Sequence, residues 1–513
     1  MRIKALALAA LLAGLSTPAL AGPFAEVGNW QLRQDVETLF AHGLIRGPID
    51  SWPLAWAQID EGLNAAKDGR ELDPAVKAAV NRLDILSERA SGTLNAELIV
   101  AATNEPAVAR DFGTQARAVF DGTASVEWNS SVVSLKGNVG YRYNDTTPGQ
   151  NPNYINFDGA QAVIRLGGWA LTGGVYDEWF GPGRDGALLF SNSARPMPKV
   201  GLKRLNPKPI NFPVLRWLGP VQFEIFGGVL NGERNDYQNI GIVGTRFSFV
   251  PVRGLTIGLE RSQMLCGEGR PCKVLQSFIG WGNADNSTPG DQQAFLDQPG
   301  DQRAGFSISY VQPIGRYAVQ GYVEAIAEDF DNVILEQYMR LAGLTVSGPV
   351  GTQGASFVAG VEYADTLAQA LFSGTQYPTS AYNNQLYFDG YTYLNRPIGY
   401  WTGGDSHNLA FAASVTDTRN RRWYGSVRSV DLNFTNVGNP PRIARGPDGV
   451  PRGEISNPVS ANAENFTILT GGVELPTQYG DVRLEARLQT DSPNTPGSQD
   501  KQGAIEVVFR QYF

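Results

Sequence analysis

The chain closes on Ala504-Ile-Glu-Val-Val-Phe-Arg-Gln-Tyr-Phe513, a stretch that alternates to its last residue. As a strand it puts Ile505, Val507, Phe509 and Phe513 on one face and Glu506 and Arg510 on the other. The segment before it repeats the device. Between Tyr479 and Thr490, Asp481, Arg483, Glu485, Arg487 and Gln489 share one face, and Val482, Leu484, Ala486 and Leu488 share the opposite one. A wall with charge on one side and hydrocarbon on the other must stand between water and an apolar medium. One such hairpin also suits a soluble sandwich, so recurrence along the chain decides.

The pattern recurs from Thr93 onward. Plausible strands cover 93–102, 115–128, 132–143, 157–166, 169–177, 187–192, 199–205, 221–230, 240–250 and 255–264, then 304–312, 316–327, 333–345, 355–364, 408–416, 422–434 and 466–475, before the two closing strands. This predicts a transmembrane antiparallel β-barrel of about 18 strands over residues 93–513. Connection lengths agree with it. Counted back from Phe513, the connections at 476–478, 418–421, 346–354, 313–315 and 251–254 are short. They alternate with 491–502, 435–465, 365–407, 328–332 and 265–303, three of which are long. Bacterial barrels have short periplasmic turns and long outer loops, whereas a sandwich has no reason to sort its loops by parity. The list holds nineteen segments, an odd number that cannot close with both termini inside, and the short pair flanking Ser193–Pro198 is the weakest.

The amino terminus has the form of a secretory signal over residues 1–21: Arg2 and Lys4 precede an apolar run, and Ala19-Leu20-Ala21 is a small-x-small cleavage site. No later stretch is apolar enough to cross a bilayer as a helix, and a mean hydropathy of −0.21 is ordinary for a barrel. A net charge of −8 without a basic stripe argues against nucleic acid as a partner.

Residues 22–92 have a different period. Leu32, Val36, Leu39 and Phe40 recur at helical spacing after a possible cap at Asn29; Pro53 opens a second helix; Asp73-Pro74 starts a third with Val76, Val80 and Leu83. The expectation is a small periplasmic helical bundle beneath or inside the barrel mouth.

Only two cysteines occur, Cys266 and Cys272, and their Gly-rich spacer predicts a loop disulfide, with buried free thiols as the alternative. Asp285, Asp291, Asp297 and Asp301 match no calcium spacing, so neither a metal nor a cofactor is expected. His42 and His407 are the only histidines. The first sits at a helix end, and Ser406-His407 point to opposite faces of a strand, which predicts a protein that is not an enzyme.

The stretch Tyr176-Asp-Glu-Trp-Phe-Gly-Pro-Gly-Arg-Asp-Gly-Ala-Leu-Leu-Phe-Ser-Asn-Ser-Ala-Arg-Pro-Met-Pro198 resembles the signature of the capsule assembly Wzi family. Cys266-Gly-Glu-Gly-Arg-Pro271, Gly300-Asp-Gln-Arg-Ala-Gly305, Gly43-Leu-Ile and Ser51-Trp-Pro-Leu54 extend the resemblance in the right order. It implies an outer-membrane lectin that holds capsular polysaccharide at the cell surface. The partners implied are that polysaccharide, outer-membrane lipid and lipopolysaccharide, and the barrel assembly machinery that reads a terminal strand. Within the stretch, Trp179 can stack on a sugar ring, and Arg184, Asp185, Asn192 and Arg195 can hydrogen-bond hydroxyls or acidic groups. The competing reading pairs these charges inside the lumen as a plug. Trp281, in the 265–303 loop, is a further candidate sugar contact. A porin for sugars or small anions is the alternative function for the same wall.

Overall fold

The computed structural model describes residues 22–513 except 70, 145–152, 273–299, 332–333, 438–441, 446–448, 492 and 494–501. The expected signal segment falls outside the described residues. Among those described, eighteen antiparallel strands close into a barrel. They are β1 (Leu94–Thr103), β2 (Phe120–Asn129), β3 (Val133–Tyr143), β4 (Gln161–Leu166), β5 (Trp169–Val175), β6 (Pro198–Arg204), β7 (Val221–Leu230), β8 (Ile240–Val252) and β9 (Leu255–Leu265). The second half is β10 (Asp301–Ile314), β11 (Tyr317–Asp331), β12 (Ile334–Val350), β13 (Ala355–Gln369), β14 (His407–Thr416), β15 (Arg422–Leu432), β16 (Glu464–Thr477), β17 (Gly480–Gln489) and β18 (Gly503–Tyr512). β18 pairs with β1, from Glu506↔Thr103 to Tyr512↔Glu97, so the sheet has no free edge.

One expected strand is absent. Residues 187–192 form no strand: Ala187, Leu188, Leu189 and Phe190 are buried in succession, without alternation, where the chain crosses the lumen. An apolar run enclosed on every side has the composition of a strand and not its period. Removing it makes the count even.

Outward positions carry the apolar belt: Leu135, Val139, Val229, Leu344, Phe411, Leu469, Leu484, Ile505 and Val507 are exposed on the wall, while Glu485 and Glu506 on the other face are buried. This inside–outside alternation is that of a membrane barrel, and it holds for the closing hairpin. The short turns lie at the end where the chain terminates, which is the periplasmic end by the sidedness of such barrels. The exception is the connection from Leu205 to Pro220, which is long.

Helices α1 (Trp30–Ala41), α2 (Trp56–Lys67) and α3 (Pro74–Ala90) occupy that mouth. Asn29 Oδ1 accepts the Leu32 N–H at 2.9 Å, and Asp73 Oδ1 accepts that of Ala75 at 3.0 Å, so α1 and α3 start on a side-chain cap. The second helix begins at Trp56 and not at Pro53, because Leu54–Ala55 first pairs as a short strand with Phe24–Ala25. Side chains fasten the helices to the wall. Gln34 Nε2 donates to Ser414 Oγ at 2.7 Å, Arg82 reaches Asn420 at 3.1 Å, and Arg316 pairs with Asp73 at 2.6 Å.

Candidate functional site: a filled lumen and its outer face

The charged lumen strands predict a wet interior, yet two apolar cores fill much of it. Near the periplasmic mouth, Leu32, Val36, Leu39 and Leu83 of the helices pack with Phe112, Trp179 and Ala187. The last three come from connections that begin at the outer rim, β1–β2 and β5–β6, and descend the length of the barrel. Phe112 stands among Trp30, Trp52 and Trp179 with ring centroids 5.2 to 5.5 Å away, and the Arg33 guanidinium lies 4.6 Å over the Phe112 ring. Nearer the outer rim, Phe180, Leu188, Leu189 and Phe190 of the β5–β6 connection pack against wall residues Phe226, Ile242, Met264 and Met339. Above them, Tyr382, Tyr391, Tyr400 and Trp401 of the β13–β14 connection form a lid, all buried.

The descent depends on close backbone approach. Gly181 has φ +110°, and a Cβ there would stand 2.3 Å from a Glu324 oxygen; a Cβ on Gly186 would stand 2.2 Å from the Tyr400 ring. Only glycine fits at either place.

The nominated residues are brought together in part. Trp179 is fully buried, pairs by backbone with Trp52, and donates its indole N–H to the Gly183 carbonyl at 3.2 Å. Arg184 lies 2.5 Å from Glu37 of α1 and 4.9 Å over the Trp30 ring. Burial pushes the Glu37 carboxyl up, but Arg184 and Arg33 outweigh it and hold the group below its ordinary value. Asp185 accepts from Arg428 at 2.7 Å, from Asn408 at 2.7 Å and from the Trp401 indole at 3.3 Å. Asn192 donates to the Gly113 carbonyl at 3.3 Å, and its own carbonyl accepts from Arg117 at 2.9 Å. These four are thus engaged inside the plug. Arg195 is different: it chelates Asp158 at 2.9 and 3.0 Å, keeps a quarter of its side chain exposed, and lies 5.0 Å over the Tyr154 ring. Trp281 falls outside the described residues.

A second cation–aromatic surface was not singled out from the sequence. Cys266 and Cys272 are joined, with Cα atoms 4.6 Å apart, and the loop between them carries Arg270. Its guanidinium lies 4.6 Å over the Tyr387 ring and 5.4 Å over Tyr237, and Tyr387 donates its hydroxyl to the Cys266 carbonyl at 2.9 Å. Asn235 donates its backbone N–H to Asp389 alongside, at 2.5 Å. The signal was legible as a density of tyrosines between 377 and 400 in what reads as a connection.

Between plug and wall remain cavities of about 90, 280 and 320 Å³; the first is lined by Asp111, Arg428 and Glu474, and the largest by charged residues from Glu97 near the helices to Arg142 and Asp158 toward the outer rim. They leave room for water along the charged wall, beside a centre filled with side chains. His42 Nδ1 lies 2.9 Å from the Thr38 carbonyl, and His407 stacks on Phe434 at 4.5 Å, so both histidines have local partners.

Known proteins resemble this chain over most of its length. A relative in Klebsiella pneumoniae, an uncharacterized 55.8 kDa protein in the cps region, is 29% identical over 498 residues, covering 94% of this chain and 89% of that one. The solved structure of Wzi, an outer membrane protein involved in group 1 capsule assembly in Escherichia coli and a carbohydrate binding β-barrel, superposes with a TM-score of 0.77. It covers 96% of this chain and 99% of that one at 21% identity, a likeness of fold. Residues 91–438 match the model of the family Capsule assembly protein Wzi, so with its barrel, its plug and its lid in place, the chain belongs to the Wzi family of capsule assembly proteins.

Proposed function

We propose that this protein is a non-catalytic outer-membrane lectin that binds capsular or extracellular polysaccharide on its outer face and helps retain it at the cell surface. The observation that carries the reading is the packed centre of the lumen under a lid of buried tyrosines: a barrel occupied this way is built to present an outer surface. Family membership supports the same polysaccharide chemistry. The sugar contacts are assigned to the two outer cation–aromatic surfaces, Arg195 with Tyr154 and Arg270 with Tyr237. These partly exposed rings and arginines suit stacking on a pyranose and charged contact to acidic sugars. Trp179, Arg184, Asp185 and Asn192 act beneath them as the plug that holds the outer loops. Lipid, lipopolysaccharide and the barrel assembly machinery are partners any barrel of this kind needs.

The test is titration of the purified full chain with capsular polysaccharide from the native host. Binding that weakens at least tenfold in Tyr237→Ala and Arg270→Ala supports the assignment; unchanged binding in both, and in Arg195→Ala, removes it. The porin reading is checked in planar bilayers, where steady single-channel steps from the unmodified protein would overturn the closed-lumen reading.

A further inference from the structure

The connection between β6 and β7, Leu205-Asn-Pro-Lys-Pro-Ile-Asn-Phe-Pro-Val-Leu-Arg-Trp-Leu-Gly-Pro220, breaks the rule of short periplasmic turns. Its first residues stay inside the mouth, Leu205 packing with Phe24 and Ala55 and Pro207 lying beside Gly47, and the rest folds back over the outside of the barrel. Val221 and Phe249 face each other across β7 and β8 at outward positions, where their outward neighbours Phe223, Ile225 and Phe247 are half-exposed and Val229 is exposed. Yet Val221 is only 2% exposed and Phe249 7%. They are covered by this connection: Leu218 and Ile210 pack on them, with Phe247 and Ile257, and the Trp217 ring meets the Phe249 ring edge-on at 6.1 Å. The connection thus lies against the lipid-facing surface at its periplasmic rim.

Its far side is uncovered. Every residue from Asn211 to Trp217 is exposed, including Phe212 at 55%, Val214 at 66%, Leu215 and Trp217 at 63%. Those apolar side chains continue the outward wall surface through Trp217, which touches Phe249. Two cations accompany them, Lys208 and Arg216, and the segment contains no acidic residue. Arg216 is held in place by a hydrogen bond from its Nη2 to Asn211 Oδ1 at 2.8 Å.

We propose that residues 208–218 form an interfacial foot that lies in the periplasmic leaflet of the membrane, with Phe212, Val214, Leu215 and Trp217 in the acyl boundary and Lys208 and Arg216 on the phosphates of anionic phospholipid. The occupant is lipid because the patch continues the lipid-facing belt and carries uncompensated positive charge. Apolar and cationic residues on one short segment are the chemistry of surface-lying membrane anchors. A tryptophan at this level also suits the aromatic girdle of such barrels.

The test places a spin label at Val214→Cys in the full chain, where the native cysteines are joined to each other, and at Thr352→Cys in the β12–β13 turn as a water-exposed reference. Both are reconstituted in nanodiscs of phosphatidylcholine with and without phosphatidylglycerol. The expected result is that oxygen relaxes the Val214→Cys label more than a water-soluble nickel chelate does, with the opposite ranking at Thr352→Cys. Adding phosphatidylglycerol should deepen the Val214→Cys label. Native mass spectrometry should then find about tenfold less phosphatidylglycerol retained by the Lys208→Glu/Arg216→Glu variant. A Val214→Cys label as open to nickel as the reference would overturn the proposal. Equal depth in both lipid compositions would overturn the headgroup contact. A label open in nanodiscs but shielded in native outer-membrane vesicles would assign the patch to a periplasmic protein instead.

Discussion

Trp179, from a connection that begins at the outer rim, pairs by backbone with Trp52 beside the helices at the opposite mouth. The barrel is therefore spanned from within by its own chain. Trp179→Ala removes a fully buried indole between two layers and should lower unfolding free energy in detergent by about 3–5 kcal/mol. The same variant should admit ion conductance in planar bilayers. Deleting residues 22–90 should do both more strongly, since the periplasmic core of the lumen is built on α1 to α3. A truncated barrel with unchanged denaturation and conductance would make the helices an independent appendage.

Arg428 is shared between Asp185 at 2.7 Å and Asp111 at 3.1 Å, and it joins both descending connections to β15. Arg428→Met leaves the buried Asp185 and the half-buried Asp111 without their cation and should cost about 3–5 kcal/mol. Asp185→Asn keeps an acceptor for Arg428 and should cost less. Denaturant midpoints for the two variants and their combination check the order, and equal losses would mean the ion pairs are not the fastening.

The disulfide should matter locally. Closing so short a loop restricts the unfolded chain little, about 2 kcal/mol at most. Cys266→Ser/Cys272→Ser should leave the barrel's melting nearly unchanged while loosening Arg270 from the Tyr387 ring. Hydrogen exchange at 266–272 and polysaccharide affinity should both change, and an unaltered affinity would detach that loop from the binding face.

Docking of α3 should depend on pH through Asp73. The hydrogen bond from Arg316 and the Ala75 N–H hold its carboxyl below the ordinary value, although partial burial opposes them. A carboxylate lowered in the folded state stabilises above its unfolded pKa, and that contribution is lost as pH falls through the folded one. Exchange protection in the first turn of α3 should therefore weaken below about pH 4, and Asp73→Asn should abolish the dependence.

The wall was readable in the sequence because its rule is local. A residue such as Glu485 or Ile505 announces its side of the sheet by parity alone, and loop lengths gave the sidedness. The lumen was not readable. Leu188 and Phe190 have the composition of a strand, and only the enclosing wall reveals that they cross its interior. Arg184 and Asp185 stood out by type in a glycine-rich turn, but whether they face sugar or a partner depends on Glu37 and Arg428, far away in sequence. Arg270 needed Tyr387, more than a hundred residues on, before it became part of a surface.

Each descending connection is tethered at both ends to the outer rim, by β1 and β2 or by β5 and β6. A stopper made this way has no free end, so it cannot fall out into the periplasm as a separate domain can. Any clearance of the pore has to be drawn upward, against the grip of Trp52, Trp30 and Arg33 from below. Force applied to the outer loops by a long polymer therefore pulls along the barrel axis on the helices underneath, which makes the molecule a tie-rod through the membrane.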